Sequence, residues 1–65
     1  MTATITTAQA EAIIEASVSD WDHSVLRDAA IFAIKGGSAY DFEGRPHDAQ
    51  EMHSFAKAFA KIQSA

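Results

Sequence analysis

Apolar side chains recur at helical spacing in three runs along the chain. Ala10, Ile13, Ile14 and Val18 repeat at helical spacing, with Glu11 and Glu15 stacked on the other side. This pattern predicts a first helix over about 8–19. Val25, Leu26, Ala29, Ala30, Phe32 and Ala33 make a second face, which Ile31 and Ile34 widen, and predict a helix over about 21–35. Ala29 to Ile34 is apolar without a break. A helix that is apolar nearly all round must be covered from more than one side, so a third helix or a second molecule has to pack behind it. Met52, Phe55, Ala56, Phe59 and Ile62 form a narrower stripe, with Lys57 and Lys61 stacked opposite, and predict a third helix over about 48–63.

The polar punctuation between these runs predicts how they join. Thr7 reads as the first N-cap, with Ala10 where a capping box would want glutamate. Ser19 and Asp20 are the two candidate caps for the second helix, which Lys35 and the pair Gly36-Gly37 close. Tyr40 and Phe42 stand two apart, as on one face of a strand, with Asp41 and Glu43 on the other. Glu43-Gly44 then suits a tight turn and Arg45 to His47 a short return strand, with Pro46 limiting the pairing. A very short β-hairpin is therefore expected over about 39–47. Asp48 and Glu51 have capping-box spacing for the third helix, and His47 could staple onto Met52. The expected fold is mainly α: a flexible lead-in over 1–7 and one small helical domain over 8–65.

Composition adds a size problem. Apolar residues make up 48% of the 65, but fourteen of them are alanine, and there is no cysteine to form a disulfide. A chain this short buries only about 60% of its unfolded surface, which leads to the expectation of a homo-oligomer or a part of a larger assembly. The net charge of −4 belongs to the first third: Glu11, Glu15, Asp20 and Asp22 precede the first Lys or Arg, and from Arg27 onward five bases balance five acids. Such a balance argues against nucleic-acid binding, which draws on clustered Lys and Arg. No apolar run approaches the roughly 18 residues of a membrane span. Residues 1–7 lack the basic start and apolar centre of a signal peptide, so a cytoplasmic, non-secreted protein is expected.

Candidate chemistry is sparse. Asp22-His23-Ser24 has the residue types of a hydrolase triad, but helix neighbours at i and i+1 point apart. His47, Asp48, Glu51 and His53 could reach one metal ion only if the loop before the helix folded back. Lys35-Gly36-Gly37-Ser38 closes a helix where a phosphate loop would open one. The reading is of a protein that is not an enzyme and uses no cofactor and no metal. Trp21, between Asp20 and Asp22, is either the plug of a small core or a contact anchor. Arg45, at the expected hairpin tip, is either solvated or meets a partner.

The order helix, glycine, Tyr40-x-Phe42-x-Gly44-Arg45, then a helix opening Asp48-x-x-Glu51-Met52, resembles the small head-completion (head–tail joining) proteins of tailed phages over residues 28–62. The resemblance implies a helix, a hairpin with a Gly-Arg turn and an antiparallel helix. It also implies a non-enzymatic protein that sits as a ring of copies at the portal, in the virion or the host cytoplasm. Under it, Gly37 ends the first family helix, Tyr40 and Phe42 seat the hairpin, Gly44 and Arg45 form the exposed turn, and Asp48 and Glu51 cap the closing helix. This chain departs from the pattern in its additional acidic first helix and in lacking a basic tail.

The expected function is thus protein–protein contact, as an adaptor that self-associates through Ala29 to Ile34. Trp21, Ile31, Ile34, Tyr40, Phe42 and Arg45 are the expected interaction residues. The alternative is a small acidic inhibitor or regulatory module, offering Glu11, Glu15, Asp20 and Asp22 to a basic surface of a host protein.

Overall fold

Thr6, one residue ahead of the expected position, opens the first helix. In the computed structural model, which describes residues 4–65, the Thr6 hydroxyl accepts the Gln9 N–H at 3.1 Å. The Gln9 side chain in turn accepts the Thr6 N–H at 2.9 Å. The box is thus completed by glutamine at 9, and α1 runs Thr7–Glu15. Within the expected lead-in, Ile5 is half-buried and packs against the core, and residues 1–3 lie outside the described residues.

α1 ends at Glu15, not near Ser19. The Ser17 hydroxyl donates to the Ile14 carbonyl at 2.8 Å, a local bond that competes with the helical ladder. The Trp21 N–H then closes a turn onto the Val18 carbonyl at 3.2 Å. Val18 reaches the core from this turn, 1% exposed. The second helix, α2, begins at His23 and runs to Ile34, with Asp22 as a cap residue whose side chain makes no capping bond. Neither Ser19 nor Asp20 caps it, and Trp21 belongs to the connection.

The end of α2 is a full Schellman closure. The Gly37 N–H bonds the Phe32 carbonyl at 2.9 Å and the Gly36 N–H bonds the Ala33 carbonyl at 3.0 Å. Gly36 takes φ 91°, the left-handed turn that this motif requires. Gly37 gives up its side chain to proximity, because a Cβ there would strike the Phe32 ring.

No strand is present among the described residues, and the expected hairpin over 39–47 is replaced by a wound connection. The Ser38 hydroxyl accepts the Tyr40 N–H at 3.2 Å and starts a single 3₁₀ turn, Ala39–Asp41. A second turn follows, closed by the Arg45 N–H on the Phe42 carbonyl at 3.3 Å. A ribbon of two or three pairs is marginal in water, and Pro46 has no N–H to offer it. The serine cap and the two turns instead pair the Tyr40, Asp41, Phe42 and Arg45 N–H groups locally. Gly44 takes no positive φ, contrary to the tight turn expected there. Tyr40 and Phe42 therefore do not share a face: Tyr40 is 58% exposed, while Phe42 packs inward.

Asp48 caps α3 (Ala49–Gln63) as expected, its carboxylate accepting the Gln50 and Glu51 N–H groups at 2.8 and 3.2 Å. The return bond from the Glu51 side chain is not made among the described residues. Phe55, Ala58, Phe59 and Ile62 are buried along α3, while Met52 and Ala56 pack at its margin.

α2 is the middle element. Its most extensive contact is with α1, and α3 packs on both helices and on the 3₁₀ turn. Ala29, Ala30 and Ala33 are fully buried, which lets the backbones approach closely. An aromatic cluster closes the C-terminal half. Phe55 lies 4.8 Å from Phe59 and 5.2 Å from Trp21 between ring centroids, and Phe32 lies 5.8 Å from Phe42. The radius of gyration, 10.2 Å, compares with about 11 Å for a compact chain of this length. Within the apolar band, Ala29, Ala30 and Ala33 are buried by the chain's own packing, while Ile31, Phe32 and Ile34 stay half-buried.

Candidate functional surface

The expected interaction residues separate into two groups. Trp21, Ile34 and Phe42 pack against the core, and Trp21 stacks on Phe42 at 6.3 Å. Their first task is closure of the fold. Ile31 is half-buried on α2. Tyr40 is the one large hydrophobic side chain left exposed among the described residues. Arg45 is exposed but engaged: its guanidinium donates to the Tyr40 carbonyl. It ties the 3₁₀ turn and is not free at a hairpin tip.

The acidic residues separate as well. Glu15, Asp20 and Asp22 are exposed. The Glu11 side chain is only 14% exposed, with a carboxylate oxygen 3.5 Å from His23 Nδ1. Helical periodicity put Glu11 on the solvated side with Glu15; the start of α2 covers it instead. His23, the middle residue of the apparent triad, faces a different carboxylate from the one beside it in sequence.

Two depressions flank α3. One, of about 280 Å³, lies between the loop carrying Gly36 to Tyr40 and the side of α3 bearing Ala56, Ala60 and Gln63. The Gln63 amide crosses its edge and donates to the carbonyls of Ala33 at 3.1 Å and Gly37 at 2.7 Å. The other, of about 380 Å³, is a groove between α1 and α3 with Ile13, Ala16 and Ala58 in its lining and Lys57 and Lys61 along one lip. The two lysines are one turn apart, and neither has a carboxylate within ion-pair distance among the described residues. The i,i+4 stacking of these lysines was legible in the sequence. Their position beside Ile13 and Ala16 was not, because it depends on how α1 crosses α3.

Among the described residues, no three or more His, Asp and Glu gather where one metal ion could be held. No described helix is long and apolar enough to cross a membrane. No protein-family model, curated protein or solved structure matches the chain.

Proposed function

We propose that the protein is a non-enzymatic interaction protein that self-associates, in the manner of a phage-type head–tail adaptor. The observation that carries this reading is Tyr40. Among the described residues every other large apolar side chain is buried or half-buried, and this one is left 58% exposed on a braced turn. Tyrosine is among the residues that dominate binding energy at protein interfaces. The resemblance over residues 28–62 agrees in its helix, glycine and capped helix, and departs in having a wound connection where the family has a hairpin.

Sedimentation velocity over a wide range of protein concentration tests the proposal. Growth of species larger than one chain is the expected outcome, and a single monomeric boundary throughout would defeat it.

The acidic inhibitor is the second reading, favoured by the exposure of Glu15, Asp20 and Asp22 at one end of α1 and in the turn that follows. It predicts a monomer whose binding to a basic partner weakens with salt and fails when Glu15 and Asp20 become lysine. Glu11 is a poorer probe, since its charge is turned toward His23.

A further inference from the structure

We propose that the α1–α3 groove of one copy receives the Tyr40 turn of another, so that copies join head to tail. The inference rests on the self-association reading and assigns its interface.

The inserted part is built for the purpose. Tyr40 stands exposed between the core and two exposed acids, Asp41 and Glu43. Its backbone is held at both ends, the N–H by the Ser38 hydroxyl and the carbonyl by the Arg45 guanidinium. An aromatic side chain on a braced turn loses little freedom on binding, which lowers the ordering cost of association. The receiving part is complementary. Ile13, Ala16 and Ala58 give the groove an apolar lining, and Lys57 and Lys61 give one lip two charges with no carboxylate at ion-pair distance among the described residues. A phenol ring suits the floor, and Asp41 and Glu43 suit the lip. Opposite charge steers the encounter and fixes the register.

The position of the two parts around α3 decides the symmetry. Tyr40 shares its depression with Ala56, Ala60 and Gln63, whereas the groove uses Ser54, Lys57, Ala58 and Lys61. At about 3.6 residues per turn, these sets lie on opposite flanks of α3. The turn therefore cannot reach the groove of its own chain. Nor can two copies satisfy both contacts across a two-fold axis. Each copy must hand its tyrosine onward, and such heterologous contacts generate rings or filaments.

Two half-disabled variants test this. Tyr40→Ala keeps a working groove, and the double variant Lys57→Glu, Lys61→Glu keeps a working turn. All three positions are exposed, and far-UV circular dichroism checks that helix is retained. If either variant loses it, Tyr40→Ser or the paired Lys→Gln changes take its place. Each variant alone should self-associate about tenfold or more weakly than the parent, measured by sedimentation. Mixed in equal amounts, they should form a heterodimer that grows no further, because only one working turn and one working groove are present. Self-association of both variants at the parental strength, or a mixture that stays monomeric, overturns this interface and leaves self-association itself standing. A parent protein that is monomeric at every concentration removes both.

Discussion

Phe55 touches Trp21, Phe42 and Phe59 with its ring and has no exposed surface. Replacing it with alanine should cost about 3–5 kcal/mol. The whole stability of a chain this long is of the order of 3–10 kcal/mol at about 0.05–0.15 kcal/mol per residue. Phe55→Ala should therefore show a much reduced urea midpoint or lose its helical circular dichroism at room temperature. Gln63 gives a finer measurement. Its amide joins the last turn of α3 to two carbonyls at the end of α2. Gln63→Ala should lower stability by about 1–2 kcal/mol, and amide exchange should speed up at Gly36 and Gly37, whose N–H groups close that end. Unchanged exchange there would mean that the closure stands without the glutamine.

At the scale of the element, each boundary is decided by a few polar atoms. Gly36→Ala places a Cβ at φ 91°, where an L-residue pays about 1–2 kcal/mol. Thermal unfolding should register that loss without a change in helix content. Thr6→Ala removes the hydroxyl arm of the first capping box and leaves the Gln9 side chain its bond to the backbone N–H of residue 6; it should cost about 1 kcal/mol, read most directly as faster amide exchange at Gln9. These same atoms explain what the sequence revealed. The three helices were legible because each carries a repeating apolar face, and Asp48 was legible as a cap because it stands directly before one. The ends of α1 were not, because Thr6 competes with Thr7 and Ser17 unwinds a run that Val18 seemed to prolong. The hairpin was misread for a similar reason. Tyr40-x-Phe42 has strand spacing, but the Ser38 hydroxyl two residues earlier captures the Tyr40 N–H and winds the chain. The groove could not be read at all, since Ile13 and Lys57 are neighbours only through packing.

At the scale of the whole molecule, one core joins both ends of the described chain. Trp21 connects the α1–α2 turn to α3 through Phe55, and Phe42 connects the wound linker to both. Trp21 fluorescence should therefore change in the same transition as far-UV circular dichroism during urea unfolding, as for a single cooperative unit. Two separated midpoints would show that α3 detaches before α1 and α2 part. If copies assemble, the melting temperature should also rise with protein concentration, since association stabilises only the folded chain.

The coiled passage between α2 and α3 has a consequence for growth. A ribbon there would have presented a bare margin of amides and carbonyls, onto which almost any extended peptide could be added. Ser38, Gly36 and Arg45 turn those groups inward onto the chain itself. Joining at this place then depends on the fit of side chains, so a single altered residue can stop it, and indiscriminate stacking finds no extended edge to copy.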